Sequence, residues 1–344
     1  MTLTPAPLRA RASAPIAAID IGSNTVHVTV ARPVLAPSDV TLEIIADQSD
    51  LVRLGHDIAA SGAIGPERAQ RAMAALEQYA GLARMLTAQT VLGIATEGVR
   101  AAANSRELAA RAEAQTGIRL HVITGEQEAA LSYWGATSDE PATPEPRGVI
   151  DLGGGSLELV IGEAKRVDWR VSLPLGAGAV RDRFGLGNPP SLSQLDYAFQ
   201  AVRAELAAVD PPTPPHEVAV CGGTAGALAA LGTHLFGENT TRIAVRQGHL
   251  AEVTGRRILT RYHLETVLAV LAQEPAVKVA ARYHIKAPRA RLLAAGALVL
   301  LAAMERLGVS RLNVSRRGLR EGSMLAYVYR GDDWLRAAVR GILE

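Results

Sequence analysis

Apolar and polar positions along this chain follow two alternating periods. From Ala17 to Ala31 the run AAIDIGSNTVHVTVA reads as an apolar strand, an Asp, a polar turn and an alternating second strand. That is the pattern of a β-hairpin with a wide, donor-rich turn, here Gly22, Ser23, Asn24 and Thr25. Residues 148–162, GVIDLGGGSLELVIG, repeat the form, with Asp151 matching Asp20 and Gly153 matching Gly22. Two copies predict two similar domains, each opening with its own hairpin. Helical periodicity covers 67–86 and 104–117, strands are expected at the start of 90–100 and over 120–125, and Gly117 closes the second helix. Thr124 and Gln127 have capping-box spacing, which starts a helix at Thr124 and puts Glu128 in its first turn. A third glycine element, VAVCGGTAGALAAL over 218–231, reads as strand, the turn Gly222-Gly223-Thr224, then helix. The alternation as a whole is α/β.

Breaks fall at two Pro-rich loops, 138–147 and 210–217, and the first dozen residues read as a disordered lead-in. At 344 residues, 48% of them hydrophobic, the chain suffices for two domains with sizeable cores. Aromatics at 4% argue against a base-stacking nucleic-acid surface, and a net charge of +2 favours no class of partner. The cations are nearly all Arg, the lysines being Lys165, Lys278 and Lys286, and Arg offers a fork of donors suited to phosphate. The single cysteine, Cys221, excludes an intrachain disulfide, fits a reducing compartment and is expected to be buried. The longest apolar stretch, 292–304, falls short of the roughly 20 residues of a membrane span, so a buried helix is expected. Without a signal peptide in view, the expected location is the cytoplasm.

The turns carry the chemistry. Gly, Ser, Asn and Thr let the backbone approach a ligand and aim N–H groups at it, which suits phosphate oxygens. The turn at Gly222, Gly223 and Thr224 would add the donors of a helix N-terminus. An Asp at the strand end would repel phosphate, unless a hard cation such as Mg²⁺ or a positioned water lies between them. One glycine hairpin alone is an ordinary turn; the recurrence of Asp-x-Gly points to a pair of phosphate nests.

DIGSNT, DLGGGSLELV and CGGTAGALAAL, in this order and spacing, resemble the phosphate loops of the actin-like ATPase fold. With ATEGVRAAANS (95–105), ITGEQEAALSYWGA (123–136) and GLREGSM (318–324), the chain resembles the exopolyphosphatase/guanosine pentaphosphate phosphatase (Ppx/GppA) family over roughly 15–330. The resemblance implies two actin-like (ribonuclease H-like) domains with an interdomain cleft. These are expected at 15–125 and 126–318, with 319–344 packing back on the first. It further implies removal of terminal phosphates from inorganic polyphosphate or guanosine pentaphosphate by water, with Mg²⁺ or Mn²⁺.

The family's catalytic base maps to Glu128, with Gln127 in place of the preceding Glu. Its Gly-Gly-Gly-Ser-Thr-Glu loop maps to Gly153, Gly154, Gly155, Ser156, Leu157 and Glu158, so one hydroxyl is missing and Leu157 receives no ligand role. Thr25 stands where the first loop usually ends in Ser, and Arg100 maps to a phosphate-clamping Arg. Asp151 is expected to hold the metal, with Glu158 and Asp20 as further ligands, and Glu158 to position metal or water. Read without the family, Glu128 is an ordinary first-turn acid and Arg100 a surface ion-pair former. His27 divides between a structural hydrogen bond and a functional role, while His263 and His284 receive none.

The favoured function is an exopolyphosphatase, expected as a homodimer without nucleic-acid or membrane partners. The alternatives are a guanosine pentaphosphate phosphatase, a non-catalytic sensor of guanosine penta- or tetraphosphate, and an actin-like kinase or ATPase. A sensor would have no use for a water-activating acid. No adenine pocket marks the kinase reading.

Overall fold

The computed structural model describes residues 6–36, 39–140, 143–237, 245–246, 249–250 and 257–343. The first sheet is built from β1 (Ile16–Ile21), β2 (Thr25–Leu35), β3 (Val40–Leu51), β4 (Thr90–Ala95) and β5 (Leu120–Val122), in the order β3-β2-β1-β4-β5. β1, β2 and β3 pair antiparallel, and β4 and β5 continue parallel from β1. The later strands are β6 (Arg147–Leu152), β7 (Leu157–Glu163), β8 (Arg166–Leu173) and β9 (Glu217–Cys221). They are followed by a short ladder of β10 (Val245–Arg246) and β11 (His249–Leu250), then β12 (Arg257–Thr260) and β13 (Arg311–Val314). The second sheet runs β12-β13-β9-β6-β7-β8, with β6, β9 and β13 parallel and β12 antiparallel on the edge. Counted outward from its opening strand, each sheet places the next two strands on one side and the parallel strands on the other. The sequence repeat is thus a repeat of topology.

The chain divides into two compact units, one of Met1–Pro144, Glu158–Ser172 and Arg317–Glu344, the other of Glu145–Leu157 and Leu173–Arg316. The boundary expected at 125–126 falls inside the first unit, which includes the helix Gly125–Thr137. That helix packs on Leu319–Arg330 through glycines: a Cβ at Gly135 would overlap the Gly318 carbonyl, and one at Gly322 the Leu131 carbonyl. The glycines of GLREGSM therefore serve a helix contact that holds the helix bearing Glu128.

In the core of the first unit, alternate residues of β1 and β2 (Ala17, Ile19, Ile21, Val26, Val28, Val30) meet Leu76, Tyr79 and Ala83 of the helix Pro66–Met85. Pro66 at its first position and its Ala-, Leu- and Arg-rich sequence favour that helix. In the second unit, the helix Leu293–Leu307 is buried along almost its whole length, and Gly308, at φ 69, supplies the left-handed residue that ends it. No helix of the described residues is long and apolar enough to cross a membrane.

Two local readings are corrected. The expected lead-in forms a helix at Ala6–Arg11, where Arg11 donates from Nε to the Val328 carbonyl (2.7 Å) and from Nη2 to that of Tyr329 (3.0 Å); residues 1–5 lie outside the described residues. The strand expected over 120–125 stops at Val122, because Thr124 and Gln127 close a full capping box and the helix takes over at Gly125.

Candidate active site

The Gly22–Thr25 turn is closed by the Gly22 N–H donating to the Thr25 carbonyl at 3.0 Å. The two carbonyls between are used from behind: Ser23 O accepts from Gly55 N (2.8 Å), and Asn24 O from Val52 N and Arg53 N (both 2.9 Å). The Ser23 hydroxyl donates to Glu97 Oε2 at 2.8 Å, and a Cβ at Gly98 would lie 2.5 Å from Ser23 Cα. The carbonyls of Ser23, Asn24 and Thr25 are consumed while donors are left over. Among the described residues no acceptor meets the N–H groups of Ser23 or Asn24.

The second turn repeats this logic with other materials. Gly153 N donates to the Ser156 carbonyl at 3.0 Å. The carbonyls of Gly153, Gly154 and Gly155 accept from the N–H groups of Ala177 (3.0 Å), of Gly178 and Ala179 (2.8 and 3.0 Å), and of Gly176 (3.1 Å). The N–H groups of Gly154 and Gly155 meet no acceptor among the described residues. Beside this turn in the same unit, Gly222 at φ 96 turns β9 into the helix Gly223–Phe236, and Cys221 is buried in the strand before it. A Cβ at Gly222 would stand 3.2 Å from Asp151 Oδ1, so the carboxylate faces this third turn. Arg289 lies against Gly223, where a Cβ would overlap its guanidinium. Burial lowers its proton affinity, although a guanidinium stays charged. No acid or carbonyl meets it among the described residues. Nothing in the sequence singled out Arg289, because its neighbours in space come from another segment.

Glu128 is 7% exposed and Glu158 1%. Arg100 Nη1 donates to the Ile123 carbonyl at 2.6 Å and to Glu128 Oε2 at 3.4 Å, so the expected clamp and the expected base stand together. Glu158 Oε1 accepts the Ser172 hydroxyl at 2.7 Å. Asp20 faces Arg320, Oδ2 to Nη1 3.8 Å, and Arg320 Nε donates to Thr29 Oγ1 at 2.8 Å. His27, opposite Asp20 across the β1–β2 ladder, pairs with Asp47. Burial moves His27 below the ordinary histidine range, against the raising effect of the Asp47 hydrogen bond and with the lowering effect of Arg320. The His27 hydrogen bond in turn lowers Asp47. His263 belongs to the capping box of Thr260. Sequence reasoning did not single out Glu97, Ser172, Arg289 or Arg320; only Glu97 carried a local signal, as an acid directly after a strand and a Thr.

Among the described residues no three His, Cys, Asp or Glu side chains converge as a ready-made metal cage. Mg²⁺ rarely needs one, since it binds through one or two carboxylates with waters and substrate phosphates. Asp151, facing the Gly222 turn, fits that mode: a carboxylate that would otherwise repel phosphate held by these turns is reconciled to it by a hard cation.

Two sheets with the same opening hairpin, each leading with an Asp and a nest of free amides, define a phosphate-handling protein of the actin-like class. The sequence description of the Ppx/GppA phosphatase family matches residues 34–330. Exopolyphosphatase 1 of Mycobacterium tuberculosis is 27% identical over 307 residues, covering 89% of this chain and 86% of that protein. Exopolyphosphatase 2 of the same organism is 29% identical over 320 residues, covering 90% and 98%. The crystal structure of the Aquifex aeolicus Ppx/GppA family member matches with a TM-score of 0.74 at 26% identity, covering 93% of this chain and 99% of that one. The chain belongs to the Ppx/GppA phosphatase family: it has the two-domain actin-like fold and is a hydrolase of phosphoanhydride bonds.

Proposed function

We propose that this phosphatase is a cytoplasmic, homodimeric exopolyphosphatase that releases terminal phosphate from inorganic polyphosphate, with guanosine pentaphosphate as a second substrate. The observation that carries the reading is the pair of turns at Gly22–Thr25 and Gly153–Ser156, where most carbonyls are used while the N–H groups of Ser23, Asn24, Gly154 and Gly155 meet no acceptor among the described residues. Such nests take phosphate oxygens of any polyphosphate without reading a base. The exopolyphosphatase names of the Mycobacterium relatives support the same substrate.

On this reading the turn amides, with Gly222, Gly223, Thr224 and Arg289, take phosphate oxygens. Arg100, whose Nη1 braces Glu128, turns its remaining donors to the terminal group. Glu128 accepts a proton from water as its oxygen bonds to the terminal phosphorus. The bond from that phosphorus to the bridging oxygen breaks, and the electron pair leaves on the shortened chain. Orthophosphate is the other product. Glu158, held by Ser172, positions water or cation. Bound Mg²⁺ or Mn²⁺, with Asp151 as principal ligand and Glu158 and Asp20 as further ones, would neutralise phosphate charge.

The test is phosphate release from polyphosphate and from guanosine pentaphosphate side by side, with and without a chelator. The expected result is divalent-dependent release with the higher kcat/KM on polyphosphate. A higher value on the nucleotide would make the chain a guanosine pentaphosphate phosphatase, and binding without turnover a sensor. Light scattering checks the dimer.

A further inference from the structure

One hydroxyl stands between Glu158 and the start of the helix that carries Glu128. Ser172, near the end of β8, donates to Glu158 Oε1 at 2.7 Å. The same side chain is the floor on which the helix Gly125–Thr137 starts: a Cβ at Gly125 would lie 2.5 Å from Ser172 Oγ and would overlap Ser172 Cβ. Two residues earlier on the same face of β8, Arg170 Nη2 reaches Glu126 Oε2 at 3.3 Å. This face therefore meets the first helical turn, one step before Glu128. Val171 and Leu173, on either side of Ser172, carry no donor. A serine is not what packing on a pleated strand would select, so the hydroxyl needs another reason to be there. A carboxylate 1% exposed has little water to hold its orientation, and a side-chain donor fixes it.

We propose that Ser172 is a positioning residue for hydrolysis: its hydroxyl orients the Glu158 carboxylate, and its contact with Gly125 sets that carboxylate's place relative to the helix that carries Glu128. The inference rests on the roles given above to Glu158 and Glu128. Substrate is held chiefly by turn amides, which Ser172 does not touch. Its loss should therefore fall on kcat and spare KM.

The experiment compares Ser172→Ala, Ser172→Thr, Ser172→Val, Glu158→Gln and the double variant Ser172→Ala/Glu158→Gln. Each is followed by steady-state phosphate release, equilibrium polyphosphate binding and a melting curve. Removing an outer partner of a site carboxylate is expected to lower kcat by about 10–100-fold. Thr and Val have the same shape, so crowding affects both alike. Thr, which keeps the hydroxyl, is expected to retain activity that Val loses, even if Ala were too unstable to assay. In the Glu158→Gln background Ser172→Ala should cost nothing further, because the two act as one unit. Parental kcat in Glu158→Gln would overturn the role of Glu158 and leave Ser172 nothing to position. An impaired Glu158→Gln beside parental Ala and Val variants would overturn Ser172 alone. So would additive losses in the double variant, or equal losses in Thr and Val.

Discussion

The turns at Gly22–Thr25 and Gly153–Ser156 share a sequence pattern, a closing hydrogen bond and backbone support, yet only the first adds charged side chains to that support. Behind the first stand backbone and charge together: the N–H groups of Val52, Arg53 and Gly55 hold two carbonyls, Glu97 takes the Ser23 hydroxyl, and Arg320 faces Asp20. Behind the second stands backbone, with four N–H groups of Gly176–Ala179 on three glycine carbonyls. Support added by side chains can be loosened one group at a time. A turn held by backbone has little to lose to a charge change and much to lose to a methyl group. The same chemistry, donors left over where carbonyls are used, is reached with charged support or without it, so the likeness of the two loops in sequence does not predict a likeness in mutational response.

The largest expected effect lies beside neither support. Glu128→Gln keeps size and hydrogen bonding and removes the basic carboxylate. We expect kcat to fall by about 10²–10⁴-fold. Polyphosphate binding should be kept or slightly improved, because a negative charge leaves a site for a polyanion. The melting temperature should move little, since Gln keeps an oxygen that accepts from Arg100 and the lost helix-dipole interaction is about 1 kcal/mol. Steady-state kinetics beside equilibrium binding reads both. A near-parental kcat would pass the role of base to Glu158.

Next comes the backbone-held turn. A Cβ at Gly176 would stand 2.5 Å from the Gly154 carbonyl carbon, so Gly176→Ala must displace the turn. The expected cost is about 1–3 kcal/mol of stability, as for other overpacked sites, with a rise in KM for polyphosphate as the amides lose their aim. An unchanged melting curve and KM would show that this turn yields to a methyl group, and the contrast with the first turn would fail.

Loss of the charged support of the first turn should have a milder effect. Glu97→Ala removes the acceptor of the Ser23 hydroxyl, a hydrogen bond to a charged group in a partly exposed place. We expect a loss of about 1 kcal/mol and a modest rise in KM, since Gly55, Val52 and Arg53 still hold the carbonyls. Glu97→Gln should recover most of it. A collapse as large as that of Gly176→Ala would mean that the charge, not the backbone, is the main support.

The local devices of this site were legible because they are local. Thr124 and Gln127 announced their capping box three residues apart, and the glycines of both turns announced backbone freedom within six residues. Helix Leu293–Leu307 was legible from its unbroken apolar run. Ser172, Arg289 and Arg320 were not, because each earns its place from a partner far along the chain, Glu158 and Gly125, Gly223, and Asp20 with Thr29 respectively. The helix Ala6–Arg11 was hidden for the same reason: a short Pro- and Arg-containing stretch is helical here with Arg11 bonded to carbonyls more than three hundred residues away. The boundary was displaced because a helix belongs by sequence to what precedes it and by packing to whatever shares its face, here Leu319–Arg330.

The smallest expected effect asks how far charge-based support extends in the first unit. Asp39 Oδ1 accepts from Tyr329 Oη at 2.6 Å and lies 3.0 Å from Lys165 Nζ, which also donates to Tyr329 at 2.8 Å. Desolvation alone would raise Asp39, but the hydrogen bonds from Tyr329 and Lys165 outweigh it and hold the carboxyl below its ordinary value. Desolvation alone would lower Lys165, but the same contacts hold it above. A depressed carboxyl contributes stability that is present above its unfolded value, about pH 4, and is lost as pH falls through the folded one. The raised ammonium contributes stability that is full below its unfolded value, about pH 10, and is lost as pH rises through the folded one. Between those limits both contributions are in place. Asp39 is half exposed in its side chain, so solvent screens the pair and the contribution is below about 1 kcal/mol. Asp39→Asn should therefore lower the melting temperature slightly at neutral pH, and the gap from the parent should close as pH falls below about 4. Melting curves of the two proteins across that range decide it. A gap that persists in acid would assign the effect to the shape of the hydrogen-bonded triad rather than to its charge, and would confine charge-based support in this unit to the neighbourhood of the first turn.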